Sequence, residues 1–332
     1  MHKTKIICTL GPSSFNKNIL KLLIKEKVDI FRINLSHTKK KDIEKKIDFL
    51  KKNKIKNICI DTEGAQIRTS YVKKEIKFKK KEIIKVYNGT SSSNKKNIYL
   101  TPKFKISKVS KNTIISVGFD GLKLKVMSFD KNKNFLKCLV QKEGILGANK
   151  GVHLSSKISL PAFTEKDKFA LNLVKKKNLK YLAISFVNNS EDIDQARKIC
   201  GNKIFIISKI ETQNAIKNLR DIAKKSDAML IDRGDLSRYV PIEKIPIIQN
   251  QILKFSKKNN FETYIATNLL ETMVKENQPT RAESQDIHTA ILQGAKGLVL
   301  AAETAIGIDP INCVKFLKKC ISVLKNKNEF KF

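Results

Sequence analysis

Eight short apolar runs rich in β-branched residues recur along this chain, and their spacing constrains the fold more than any other feature. They span 5–10, 30–35, 57–61, 181–186, 204–208, 228–231, 263–266 and 297–300. Segments with helical periodicity separate most of them, among them 16–26, 40–52, 165–177, 190–199, 212–224 and 312–324. Thr164-Glu165-Lys166-Asp167 has the form of a capping box with Asp in the fourth place. Repeats of about 23–35 residues suit βα units. Near-continuous apolar strands flanked by helices predict a parallel sheet covered on both faces. Eight such units predict an α/β fold, a (β/α)8 TIM barrel.

One interval breaks the rhythm. Between Asp61 and Glu165 lie about 100 residues that read as short strands (82–86, 113–117, 122–128, 135–141), with turns at Asn88-Gly89, Asp120-Gly121 and Asn132-Lys133. The expectation is a small β-barrel-like lid domain at 66–160, inserted after the third strand of a barrel built from 1–65 and 161–332. The stretch 91–96 is expected to be a mobile loop.

Composition excludes several classes. A chain of 332 residues can bury a core without disulfide or metal staples. No apolar run approaches the ~20 residues that span a bilayer. Met1-His2-Lys3 leads straight into the first strand, so no targeting peptide is expected. Cysteines at 8, 59, 138, 200, 313 and 320 form no Cys-x-x-Cys pair, which points to a reducing, cytoplasmic setting and away from structural zinc. The net charge is +36, carried by 60 Lys and only 7 Arg. Two readings stand, a polyanion footprint and a solvated Lys-rich surface. With few Arg and no Trp to fork or stack, the second is preferred: polyanion binding is expected to be non-specific and salt-sensitive, with no specific nucleic-acid partner.

Every strand delivers polar or Gly-containing groups at its C-terminal end. In order they are Gly11-Pro12-Ser13-Ser14; Arg32, Asn34, Ser36 and His37; Asp61-Thr62-Glu63-Gly64; Ser185-Phe186; Lys209-Ile210-Glu211; Asp232-Arg233-Gly234-Asp235; Thr267-Asn268; and Glu303-Thr304. In a barrel these ends converge on one face, where an active site belongs, so an enzyme is expected. Glu211 and Asp235, on successive strand ends, are spaced to share one hard cation such as Mg²⁺. Lys209, Arg32 and Arg68 supply positive charge, a combination that fits phosphoryl transfer. Gly234 lets backbone N–H groups approach an anion closely. Asn34, Ser36, Asp61 and Thr62 offer hard oxygens with one negative charge, suited to a monovalent cation. Structural alternatives stand beside these. Lys209 and Glu211 alternate on a strand and suit an interior ion pair; Arg32 suits an inward structural role; His37 suits a helix start as well as a ligand. No Walker A pattern is present, and no Gly-x-Gly-x-x-Gly follows a strand.

Taken together the motifs resemble the pyruvate kinase family almost end to end. They run from TLGPSS at 9–14 through FRINLSH at 31–37, DTEGAQIRT at 61–69, GILGANKGVHL at 144–154 and LPAFTEKD at 160–167. The Lys-Ile-Glu of 209–211, RGDL at 233–236, PTRAE at 279–283 and AETAIG at 302–307 complete the set. The resemblance implies phosphoryl transfer from phosphoenolpyruvate to ADP. It implies Glu211 and Asp235 on Mg²⁺ or Mn²⁺, Lys209 on the transferring phosphoryl group and Arg32 on the phosphate. Gly234 and Asp235 N–H with the Thr267 hydroxyl would hold the carboxylate, with protonation from a hydroxyl or water network near Thr267. Asn34, Ser36, Asp61 and Thr62 would hold K⁺, and Arg68, Lys150, Asp120 and His37 would face the nucleotide. A homodimer through barrel helices near 279–287 is also implied.

The departures carry expectations of their own. The family's Lys-Gly-Pro-Glu reads Glu63-Gly64-Ala65-Gln66, and Gln66 leaves K⁺ dependence open. Asp232 replaces an Ala and is expected to repel an anionic substrate unless it points away. Ser237-Arg238-Tyr239 follows RGDL where Gly is usual, Ala301-Ala302 replaces Ser-Gly, Asn268 replaces Gln, and Phe119-Asp120 replaces a paired Asp. Altered substrate use is expected from these changes. The family's C-terminal α/β domain, with its sugar-phosphate effector site and tetramer contact, has no counterpart before Phe332, so no such effector response is expected.

Overall fold

The computed structural model describes residues 4–118, 121–156, 158 and 160–325. It divides into two compact units, one from 1–64 with 163–332 and the other from 65–162.

In the first unit, all eight apolar runs become parallel strands: Lys5–Thr9, Ile30–Asn34, Ile58–Asp61, Tyr181–Ile184, Phe205–Ile210, Ala228–Asp232, Glu262–Ala266 and Gly297–Leu300. They pair in chain order, and the last pairs back onto the first to close a barrel. Helices pack outside. Lys17–Lys25 starts at Asn16, whose side chain accepts from the Ile19 N–H. The predicted capping box exists: Thr164 and Asp167 bond each other's backbone at the start of Glu165–Lys176. The helix expected at 40–52 opens as a 3-10 turn, Lys40–Asp42, before the α-helix Ile43–Lys52. The helix expected at 212–224 is split into Gln213–Lys217 and Leu219–Lys225. Asn218 sits at the break and its amide donates to the Asn188 carbonyl.

The barrel interior follows from the two-residue period of a strand. Ile7, Ile30, Cys59, Tyr181, Ala183, Ile207, Ala228, Leu230, Tyr264, Ala266 and Val299 form one buried cluster. Branched and aromatic side chains fill the bore, so the barrel is a packed core rather than a channel.

The second unit has its own core and, among the described residues, nine strands. Seven form one sheet, running from Val152–Leu154 through Ile114–Val117, Lys123–Asp130, Phe135–Lys142, Ile83–Asn88 and Asn97–Thr101 to Arg68–Thr69. The two edge strands then meet. Arg68 bridges to Gly151, and the Val152 N–H donates to the Ile67 carbonyl at 2.7 Å. Ile76–Phe78 and Gly144–Leu146 form a separate ribbon. The stretch 91–96, expected to be mobile, is pinned instead. Asn94 Oδ1 accepts from the Lys96 and Asn97 N–H groups, and buried Ser93 bonds Tyr71 and Tyr99. A side-chain oxygen that mimics a turn carbonyl gives this segment local order that its polar composition hid.

Candidate active site

The site grows out of the barrel core by one strand period. Two residues beyond the inward-facing Ile7, Ile30, Cys59, Ala183, Ile207 and Leu230 stand Thr9, Arg32, Asp61, Ser185, Lys209 and Asp232. The alternation that points apolar side chains into the bore therefore points a polar layer into its C-terminal mouth.

The layer is bonded throughout. Arg32 Nε donates to Asp61 Oδ2 at 2.6 Å and Nη1 to Thr9 Oγ1 at 2.7 Å. Ser185 Oγ lies 3.1 Å from Asp61 Oδ1 and 2.6 Å from the Thr62 carbonyl, two acceptors for its one proton. Lys209 Nζ lies 2.7 Å from Glu211 Oε1, 3.3 Å from Asp232 Oδ2 and 3.4 Å from Asp61 Oδ2. Glu211 Oε2 accepts from the Phe186 N–H at 2.6 Å. All of these side chains are buried. Phe186, Thr267 and Asn268, just past strand ends, have φ of 53°, 71° and 54°, a conformation that is costly for the β-branched Thr267.

Burial would depress the Lys209 ammonium, but Asp61, Glu211 and Asp232 outweigh it and hold its pKa above the usual lysine range. The Glu211 carboxyl is pushed up to about 8; burial is the main cause, Asp235 and Asp232 add to it, and Lys209 opposes it. Burial also acts upward on Asp232, yet Lys209 and Arg32 outweigh it and keep Asp232 below the usual carboxylate range.

Lys209 and Glu211 are thus in direct contact at 2.7 Å, as the structural alternative required, but inside a larger network. Glu211, Asp232 and Asp235 each offer a carboxylate oxygen, and these lie within 4.8 Å of one another. Glu211 Oε1 is fully buried and, although close to Lys209, makes no hydrogen bond of good geometry. Hard oxygens so gathered fit Mg²⁺ or Mn²⁺. Asp232 is paired with Lys209 and grouped with the other two carboxylates at the barrel mouth.

Gly234 N–H donates to Thr267 Oγ1 at 2.9 Å, Thr267 Oγ1 donates to the Ala266 carbonyl, and Asp235 N–H donates to Asp232 Oδ1 at 3.3 Å. A Cβ on Gly234 would stand 3.5 Å from Thr267 Oγ1 and 3.6 Å from Asp232 Oδ1. Arg233 takes no part in this layer; it pairs with Asp286 and donates to the Thr267 carbonyl. Asn34 and Asp61 are register partners on adjacent strands. Asn34 Oδ1 accepts from the Ser36 N–H, and Thr62 Oγ1 from the Ser185 N–H. His37 is exposed on the 3-10 turn Leu35–His37. Buried Glu303 accepts from Leu270 and Ala301 N–H groups and so ties two loops together. In the second unit, Arg68 Nη1 donates to the Asn149 carbonyl, and Thr69 and Lys150 pair through backbone and hydroxyl. Asp120 lies outside the described residues. Sequence reasoning did not single out Thr9 as a partner of Arg32, or Asp232 as a candidate ligand. The two-residue alternation was the signal for both.

Among the described residues no helix is long and apolar enough to cross a membrane. The family model "Pyruvate kinase, barrel domain" matches residues 1–314. The chain is 34% identical to a pyruvate kinase of Thermotoga maritima, over 99% of this chain and 72% of that protein. It is 32% identical to a pyruvate kinase of Staphylococcus aureus, over 96% of this chain and 56% of that protein. The chain thus spans little more than half the length of the latter relative.

Proposed function

Since this chain belongs to the pyruvate kinase family, we propose that it moves the phosphoryl group of phosphoenolpyruvate to ADP, giving pyruvate and ATP. The observation that carries this reading is the buried Lys209 ammonium beside the carboxyl of Glu211, which is itself grouped with Asp235, a cation and a cation-binding pair at one point of the barrel mouth. As the bond from phosphorus to the enol oxygen breaks and one to the ADP terminal phosphate forms, Lys209 and Arg32 neutralise charge on the phosphoryl oxygens. A divalent ion on Glu211 and Asp235, when bound, adds Lewis-acid stabilisation of those oxygens. Gly234 and Asp235 N–H groups and the Thr267 hydroxyl exchange their internal partners for the substrate carboxylate. The enolate then takes a proton at its methylene carbon from a hydroxyl or water network near Thr267. Asn34, Ser36, Asp61 and Thr62 hold K⁺ in this reading, and Arg68, Lys150, Asp120 and His37 serve the nucleotide. A homodimer through barrel helices around 279–287 and a cytoplasmic setting belong to the same reading.

Asp232 favours a second reading, phosphoryl transfer with another enol acid or in the ATP-consuming direction, because a third carboxylate disfavours a multiply charged anion. The test is ATP formation from phosphoenolpyruvate, ADP and Mg²⁺, with and without K⁺. Turnover that Lys209→Met abolishes is expected. Phosphoenolpyruvate binding without turnover would move the assignment to the second reading, and neither binding nor turnover would leave a non-catalytic member of the fold.

A further inference from the structure

We propose that Asp232 is a third carboxylate ligand of the divalent cation, and that it shifts the site toward tight metal and weak anion binding. The inference rests on the reading above only in taking Glu211 and Asp235 as the cation site. Asp232 ends the sixth barrel strand, two residues beyond the bore residue Leu230, so the alternation that fills the bore directs it into the mouth. It is buried, with 4% of its surface exposed. Its carboxylate lies within 4.8 Å of those of Glu211 and Asp235. In an octahedral Mg²⁺ site adjacent ligands stand about 3.0 Å apart and opposite ones about 4.2 Å, so side-chain shifts of about 1–2 Å bring all three onto one ion. Lone pairs remain for it. Asp232 Oδ1 accepts one N–H, from Asp235, and Oδ2 stands 3.3 Å from Lys209 Nζ. Glu211 Oε1, fully buried, has Lys209 Nζ at 2.7 Å but no well-formed hydrogen bond, so a lone pair remains there for a cation.

The competing account makes Asp232 only the N-cap of the short helix Arg233–Leu236 and a partner of Lys209. The two accounts separate on Asp232→Asn. Asn keeps an oxygen for the cap but loses the charge and most of the ligand strength. The experiment is a titration of the full chain with Mn²⁺ alone, free Mn²⁺ being read by electron paramagnetic resonance, for the native protein, Asp232→Asn and Asp232→Ala. Circular dichroism melts monitor folding. The expected result is a loss of Mn²⁺ affinity of about 10- to 100-fold in both variants. At saturating Mn²⁺, phosphoenolpyruvate should bind the variants more tightly than the native protein, since one negative charge is gone. Unchanged Mn²⁺ affinity in a folded variant overturns the proposal. If neither variant folds, a crystal of the native protein with Mn²⁺ decides. An Asp232 oxygen at about 2.2 Å from the ion supports the proposal, and an ion held by Glu211 and Asp235 with Asp232 turned away overturns it. Asp232-dependent Mn²⁺ binding without ATP formation would sink the functional reading and leave this inference standing.

Discussion

Lys209 concentrates the chemistry and the risk of this site in one side chain. Its ammonium faces Asp61, Glu211 and Asp232, all buried. Lys209→Met would leave those charges without their shared partner, and stability should fall by about 3–5 kcal/mol in urea unfolding. Activity should fall by about 10²–10³-fold or more in kcat, with a smaller change in the KM for phosphoenolpyruvate. A variant that keeps native kcat would remove Lys209 from the phosphoryl path. Glu211 sets a pH dependence whose sign can be worked out. Its carboxyl titrates near 4.5 when unfolded and is pushed up to about 8 when folded. Between those values the native state binds the extra proton, so in metal-free buffer Glu211 makes the Tm fall as pH rises from about 5 to 8. Glu211→Gln should flatten that slope, and an equally steep slope in the variant would assign it elsewhere. Lys209, raised, loses its contribution only as pH climbs through its folded value, and Asp232, lowered, only as pH drops below the usual carboxylate range. Neither changes within this window.

At the scale of elements, Asp167 joins parts of the barrel that are far apart in sequence. As the last member of the capping box it bonds Thr164, and its carboxylate also accepts from Glu63 N–H at 2.8 Å and Gly64 N–H at 3.1 Å. Thr164 Oγ1 donates to Glu63 Oε1 at 2.9 Å. The chain thus leaves the first unit and re-enters it at neighbouring points, which lets 98 residues be inserted without disturbing the third and fourth strands. Asp167→Ala removes several bonds to a buried carboxylate and should cost about 2–4 kcal/mol in a denaturant titration. A loss no larger than that of an ordinary helix cap would mean that the bonds to residues 63 and 64 contribute nothing. Gly64 itself has φ of +66°, and a Cβ there would stand 2.7 Å from the Phe186 ring, so both backbone and space demand glycine.

At the scale of the whole molecule, each unit carries its own core. Residues 65–162, expressed alone, should unfold in one cooperative urea transition, because the core from Ile67 to Leu154 lies wholly within them and the sheet edges meet. A broad transition without cooperativity would show that this unit depends on the barrel. The charge of +36 acts at the same scale. Binding to duplex DNA should weaken steeply with salt and not discriminate between sequences, since Lys without a reading surface supplies only counterion release. Sequence preference at physiological salt would revive the nucleic-acid reading.

Residues 5–300 announce the barrel in their order alone. Strand and helix periods are local properties, so each run of alternating or helical burial appears in the chain before any contact is made. The two-residue period also places Arg32, Asp61, Lys209 and Asp232 in one layer, because it makes each strand end continue the bore. What Asp232 does was not legible, since its effect depends on a lysine 23 positions earlier in the chain, across a strand boundary. The same holds for Asp167, which reaches back 104 residues to Glu63, and for Arg68, which meets Gly151 to join the edges of the second unit. Local periods choose the elements and the direction each side chain points. Only the packed barrel decides which buried charges become neighbours, because such pairings are set by strand register, and register is fixed when the whole sheet closes.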